Sequence, residues 1–150
     1  MKREYAIHDG KIEEVFQNDG CISVFENPDE AEKAFLVNNL LIDEHTLASA
    51  LDPDELPRLE FEPTHLALIF KKPKQFSGEE GFVFHVLSLG IFFFKDKLVI
   101  VSPDDIPLFD GKLFFMVKNL QEAFLKAIYR IIHHYNHHLR VVNMMSDSLE

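Results

Sequence analysis

Four histidines stand in two adjacent pairs within the stretch IIHHYNHHLR, residues 131–140. Neutral imidazole suits Zn²⁺, Co²⁺ or Ni²⁺, whereas Mg²⁺ prefers oxygen ligands. Residues four apart lie one above the other on a helix, so His133 could chelate an ion with His137, and His134 with His138. Each pair is two ligands short of a closed tetrahedral zinc site. A useful site would therefore need water or a carboxylate from a partner subunit.

The same four residues also fit a polar helix face that has no metal function. At about 100° per residue, with Tyr135 taken as the core direction, His134 and His138 fall on the flank of the helix. His133 and His137 then point toward solvent or a neighbouring subunit. Three interpretations stay open: a polar surface, incidental binding of a transition metal, and a physiological metal sensor.

Two acidic segments are further candidates for cation binding. One is DPDE, residues 52–55, and the other comprises Asp104, Asp105 and Asp110. Each also fits a turn or loop whose charges are solvated. The other histidines lie far apart along the sequence, which favours structural roles for them: His8, His45, His65 and His85.

Hydrophobic periodicity predicts the elements that position these residues. Apolar residues recur every three or four positions from about Asn119 onward, which predicts a long helix. Before it come three short strands, two helices, and strands whose nearly continuous apolar runs are typical of a sheet covered on both faces. The fold class is therefore predicted to be α/β. We expect a three-layer α/β/α sandwich with a mixed, largely antiparallel sheet and a long C-terminal helix.

Local signals predict where the two short helices begin. The first is expected to have Asn27 as its N-cap and Pro28 as its first residue, and the second to have Asp43 as its N-cap. The buried face of the first helix is expected to comprise four residues: Ala31, Ala34, Phe35 and Leu36.

Size and composition exclude several classes of protein. The 150 residues fit one domain, residues 1–150, and no apolar window approaches the ~18–20 residues that cross a bilayer, so the chain is expected to be soluble. The formal charge of −10 argues against nucleic acid as a partner. No motif for nucleophilic, phosphate-binding or zinc-protease chemistry occurs. We expect that the chain is not an enzyme and requires no cofactor. A divalent cation (Mg²⁺, Co²⁺ or Zn²⁺) is the ligand to test.

The segment LASALDPDELPRLEFEPTHLALIFKKP, residues 47–73, resembles CorA-type divalent-cation transporters. In that family a helix ends in Asp-Xaa-Asp-Glu-Arg-Pro-Arg-Ile-Glu and a strand follows, while Leu56 here replaces the usual arginine. The matching residues are Asp52, Asp54, Glu55, Pro57, Arg58 and Glu60. Two more segments are similar to the family in the same order: CISVFENPDEAE upstream and VLSLGIFFFKDKLVIVS downstream.

The resemblance implies a homopentameric membrane transporter of Mg²⁺, Co²⁺ or related ions. Its amino-terminal domain would be an α/β/α sandwich at the cytoplasmic face of the membrane, and its long C-terminal helix would begin a stalk that leads to two membrane helices. Neither those helices nor the family's Gly-Met-Asn signature occurs in this chain. We therefore expect the cytoplasmic regulatory domain alone, self-associating as a pentamer in the full-length assembly and connected to the membrane through a C-terminal segment absent here.

The chain departs from the family at positions that regulate some members. The resemblance implies acidic residues at subunit contacts late in the second helix and early in the long helix. The matching positions here read Ala48 and Ser49, and His133 and His134. A different regulatory site, or none, is as compatible with the sequence as an Mg²⁺ sensor.

Two other functions stay open. One is a stand-alone soluble module of the same fold that binds a ligand or metal, and the other is a small metal-dependent hydrolase built on the histidine pairs. The coding sequence beyond residue 150 would distinguish the stand-alone module from a transporter. The hydrolase requires a deep pocket with a convergent carboxylate near His134 or His138.

Overall fold

The computed structural model describes residues 1–16, 20–74 and 85–149 of the chain. In these ranges it contains seven strands, three α-helices and one short 3₁₀ helix, Lys112–Phe114. The strands are β1 (Lys2–His8), β2 (Lys11–Val15), β3 (Ile22–Glu26), β4 (Arg58–Phe61), β5 (His65–Pro73), β6 (Val86–Phe94) and β7 (Leu98–Ser102). The helices are α1 (Glu30–Asn38), α2 (Glu44–Leu51) and α3 (Leu120–Leu149).

The seven strands form one mixed sheet in the order β2-β1-β3-β7-β6-β5-β4. The pairing of β3 with β7 is parallel, and the other five pairings are antiparallel. Every residue of β3 and β7 is buried, which agrees with their position in the middle of the sheet. The prediction of a mixed, largely antiparallel sheet is confirmed.

Hydrophobic cores lie on both faces of the sheet. In β7, Val99 and Val101 point into the core beneath α1 and α2, where Leu47 and Ala50 of α2 also lie. The alternate residues of β7 point to the opposite core, which includes Ile131 of α3. Helices thus cover the two faces, and the predicted three-layer sandwich is confirmed.

Helix α1 begins two residues later than predicted. Its N-cap is Asp29, whose carboxylate accepts a hydrogen bond from the Glu32 N–H at 2.8 Å, while the Glu32 carboxylate accepts one from the Asp29 N–H at 3.1 Å. This reciprocal pair is a capping box. Asn27 lies before the helix with φ of 42°, and its N–H donates to the carbonyl of Ser102 at 2.7 Å. The predicted N-cap at Asn27 is wrong, whereas Asp43 does cap α2.

The predicted buried face of α1 is wrong for three of its four residues. Leu36 is buried, but Ala31, Ala34 and Phe35 are exposed. The helix has only nine residues, and Val37 is the other α1 residue packed against this core. Because α1 is short, Leu36 and Val37 reach this core, and the other apolar side chains of the helix stay at the surface.

Helix α3 has 30 residues and is therefore about 45 Å long. Its buried residues are Ala123, Ala127 and Ile131, all in its first half. From Ile132 to Leu149 no residue is buried, so this half packs little against the sheet. No helix in the described part of the chain combines the length and apolarity that crossing a bilayer requires.

Candidate functional site

The four histidines of α3 lie on two sides of the helix. His134 and His138 are half-buried, whereas His133 and His137 are exposed. This is the arrangement that helical geometry predicts with Tyr135 toward the core.

The structure brings one pair of imidazoles together. The Nε2 atoms of His134 and His138 are 3.2 Å apart, and the rings meet edge to face with centroids separated by 4.6 Å. Two nitrogens on one tetrahedral zinc ion lie about 3.4 Å apart. The pair therefore has a spacing that suits either a hydrogen bond between neutral rings or a shared metal ion.

The other two histidines have different neighbours. His133 stacks on Tyr129 with ring centroids 6.1 Å apart, and the His137 ring lies 6.3 Å from that of His138. The four residues thus do not form one cluster. Among the residues described, no group of three or more His, Cys, Asp or Glu side chains could hold a metal ion.

Burial and neighbouring cations keep His134 neutral. Burial, followed by the charges of His138, Lys72 and Arg130, lowers the pKa of His134 to about 4. Burial, followed by the nearby His137, also lowers the pKa of His138. Neutral rings have the lone pairs that a metal needs. However, the positive charges of Lys72 and Arg130 oppose a divalent cation at the same place.

A small cavity of about 60 Å³ adjoins His134. Its other lining residues are Lys72, Pro107, Leu108, Arg130 and Ile131, so no carboxylate of the described residues lines it. The described lining of this small cavity does not supply the convergent carboxylate that a metal-dependent hydrolase requires.

The acidic motif after α2 forms a structural network. Arg58 pairs with Glu55 at 2.9 Å and with Glu60 at 2.7 Å, and it donates to the Ser49 hydroxyl at 3.0 Å. Ser49 in turn donates to Glu55 at 3.0 Å, and this bond lowers the pKa of Glu55. These contacts join the end of α2 to β4. Sequence reasoning missed the network, although Glu55 and Arg58 are three residues apart.

Two members of the second acidic set are already paired with cations. Asp104 pairs with Lys74 at 3.3 Å, and Asp105 pairs with Arg3 at 2.7 Å. Arg3 also pairs with the buried Glu26. Asp104 and Asp105 therefore neutralise neighbouring cations rather than form an empty cation patch.

An open groove of about 660 Å³ separates α1 from α2. Ala48, at a position where the family resemblance implies an acid, lines this groove, whereas Ser49 is buried. Glu30, Glu44 and Asp52 add acidic side chains to its lining. The acidic side chains of this groove thus come from positions other than the two, Ala48 and Ser49, where the resemblance implies acids.

Known proteins resemble this chain in sequence and fold. A family model described as "CorA-like Mg2+ transporter protein" matches residues 18–150. The soluble domain of CorA from Methanocaldococcus jannaschii matches the structure with a TM-score of 0.67 and 18% sequence identity, over 99% of this chain and 60% of that one. No curated protein sequence matches this chain.

Two longer solved structures are also similar. The complete CorA magnesium transporter from the same organism gives a TM-score of 0.64 and 18% identity, over 99% of this chain and 48% of that one. The full-length CmaX protein gives a TM-score of 0.67 and 12% identity, over 97% of this chain and 48% of that one. At these identities the structural similarity shows a common fold. The present chain spans about half the length of the two full-length proteins.

Proposed function

This chain belongs to the CorA-like Mg²⁺ transporter family, and on that premise we propose that residues 1–150 form a regulatory domain of a membrane transporter for Mg²⁺, Co²⁺ or a related divalent ion. The domain would lie on the cytoplasmic face of the membrane. Its packing against identical domains, and ions bound at their contacts, would bias the pore through α3. The family is one of transporters rather than enzymes, and the absence of enzymatic activity stays a prediction.

The exposed apolar stripe on α3 carries this proposal. Leu125, Tyr129, Ile132 and Leu139 follow one another at spacings of four, three and seven residues, and 62% of Leu125 and 54% of Leu139 are exposed. Such spacing is typical of a helix that packs along another helix. Identical copies would bury this stripe at one another's contacts, and five copies is the number that the family resemblance implies.

Charges on the stripe are expected to dissociate the assembly. In the complete protein, Ile132→Asp with Leu139→Asp places two carboxylates where the proposed contacts exclude water, and burying unpaired charge is unfavourable. We expect native mass spectrometry to show five copies for the unchanged protein and mainly single copies for the double variant. The separate change His137→Asp, at an exposed residue off the stripe, provides a control that keeps five copies. An unchanged assembly in the stripe variant would contradict the proposal.

Transport is tested with the complete coding sequence. Two apolar spans and a Gly-Met-Asn sequence beyond residue 150 would support the transporter, and a stop codon would support the stand-alone module. We expect the complete protein to admit Mg²⁺ or Co²⁺ into proteoliposomes that contain a fluorescent indicator. Protein-free vesicles are the control, and no uptake above that control would contradict transport of these ions.

We also propose that His134 and His138 together bind a transition-metal ion weakly. His133 and His137 are the alternative pair, and titration with Zn²⁺ tests both. The 3.2 Å separation of the two Nε2 atoms supports the first pair. In calorimetry, Zn²⁺ is expected to bind at least about tenfold more weakly after His134→Ala with His138→Ala. The matched double variant, His133→Ala with His137→Ala, is expected to bind within about twofold of the unchanged chain. The opposite pattern would assign the metal to the exposed pair, and equal binding by all variants would leave no histidine site.

A further inference from the structure

The small cavity beside His134 is bordered by two cations from different elements. Lys72 comes from β5 and Arg130 from α3, and Pro107 and Leu108 come from the segment that follows β7. Only 8% of Lys72 is exposed. A lysine so deeply buried is unusual unless its charge has a partner.

Neither cation has such a partner among the described residues. The hydrogen bonds and ion pairs of residues 1–16, 20–74 and 85–149 include none from Lys72 or Arg130. Asp105 and Asp104 are the acids whose charges raise the pKa of Lys72. They already pair with Arg3 and Lys74, respectively. In a chain with 25 acidic and 15 basic residues, these two cations thus border a cavity to which no described residue contributes a carboxylate.

The electrostatics of the cavity favour a negative charge within it. Burial lowers the pKa of Lys72, and Arg130 lowers it further, against an opposing effect of Asp105 and Asp104. An anion between Lys72 and Arg130 would offset the repulsion between these two cations.

We propose that this cavity binds a phosphate-type oxyanion, held by the Lys72 ammonium and the Arg130 guanidinium. A volume of about 60 Å³ equals the liquid volume of about two water molecules and suits a single tetrahedral group rather than a large ligand. Guanidinium and ammonium groups together are the usual donors to phosphate oxygens. The bound anion would connect β5 to α3, just where the buried part of that helix ends at Ile131. The inference does not rest on the proposed transport function.

Inorganic phosphate is the first probe, titrated into the chain and followed by calorimetry and by amide chemical shifts. The Lys72→Met variant is expected to bind phosphate at least about tenfold more weakly, because one of the two charges is lost. The same variant is expected to melt at a higher temperature, since it removes a buried charge that has no partner among the described residues. Loss of affinity together with a gain in stability separates a binding role from simple misfolding.

Lys71→Met is the matched control. Lys71 is the neighbouring lysine of β5, its side chain points to the other face of the sheet, and it donates to the carbonyl of Pro53. We expect its affinity for phosphate to stay within about twofold of the unchanged chain. Arg130→Met provides a second test and is expected to weaken binding by a similar factor to Lys72→Met.

The probes also identify the form of the ligand. Tighter binding of ribose 5-phosphate than of inorganic phosphate would indicate the phosphate group of a larger molecule, and the reverse would indicate the free ion. Chloride binding as tightly as phosphate would overturn the assignment to an oxyanion. Absence of phosphate binding up to about 10 mM, or unchanged affinity in Lys72→Met, would overturn the site itself.

Discussion

Replacement of Gly90 by alanine is expected to lower the free energy of unfolding by about 2–3 kcal/mol. Gly90 lies in β6, where α2 packs directly on the sheet. A Cβ atom built on it would lie 2.6 Å from the Cβ of Ala50 and 2.8 Å from the ring of Phe92. Both distances are far shorter than ordinary contacts between carbon atoms, which are about 3.5–4.0 Å.

Backbone propensity alone would give the opposite sign for this change. Glycine inside a strand is less stable than alanine by about 0.5–1 kcal/mol, and Gly90 is not among the glycines with positive φ. The steric term is larger because the Cβ of Ala50 is fixed to the α2 backbone. Rotation of Phe92 alone cannot relieve that contact, so the helix has to move away from the sheet.

Urea unfolding, monitored by circular dichroism, measures the effect. The matched control is a double-mutant cycle with Ala50→Gly, which alone is expected to lose about 1 kcal/mol through helix propensity. The double variant is expected to recover at least about 1 kcal/mol relative to the sum of the two single changes. A Gly90→Ala protein as stable as the unchanged one would show that α2 does not pack this closely on β6.

Acidification is expected to destabilise the fold between about pH 6.5 and pH 4. Burial lowers the pKa values of His65, His134 and His138, with a value of about 4 for His134. His65 is enclosed by the rings of Phe92 and Phe94. In each case the folded state disfavours the protonated ring.

The sign follows from which state binds the proton first. As the pH falls through 6.5, the unfolded chain takes up protons that the folded chain refuses, so the free energy of unfolding decreases. The loss stops once His134 protonates in the folded state near pH 4. A difference from 6.5 to about 4 corresponds to at most about 3 kcal/mol, which partial solvation reduces to about 1–2 kcal/mol for His134.

Urea unfolding at about pH 7.5 and about pH 5 tests this dependence. We expect His134→Gln to lose less stability than the unchanged chain over this interval, and His8→Gln, at an exposed position, to match it. Burial raises the pKa of Glu26, so the folded state binds this proton more readily than the unfolded state and acidification stabilises the fold through Glu26. Because this effect opposes that of the histidines, the comparison between variants is more informative than one curve. Equal pH dependence in His134→Gln would remove this histidine as a source of acid sensitivity.

Periodicity was sufficient to predict α3 and a sheet covered on both faces, because the spacing of apolar residues within each element indicates which of its sides are buried. It was insufficient at the start of α1. The segment Asn27-Pro28-Asp29-Glu30 offers two candidate N-caps. The choice depends on a hydrogen bond from Asn27 to Ser102, which lies on a strand far along the chain.

The same distinction applies to the candidate sites. Helical geometry correctly predicted the half-buried positions of His134 and His138, because both lie on one element. It could not predict the pocket of Lys72 and Arg130, since β5 and α3 meet only in the folded sheet. Nor does any local pattern reveal that Ser49 is buried within hydrogen-bonding distance of Arg58.

The single parallel pairing of the described sheet also affects how the chain folds. Strands β1 to β3 form one antiparallel unit and β4 to β7 another, and each unit can assemble from nearby segments. The pairing of β3 with β7 joins Ile22 to Leu98 and can form only after the whole intervening chain has closed on itself. Closing so long a loop has a high entropic barrier. We therefore expect the docking of these two antiparallel units to be the slow step of folding, so damage to either unit would slow the completion of both.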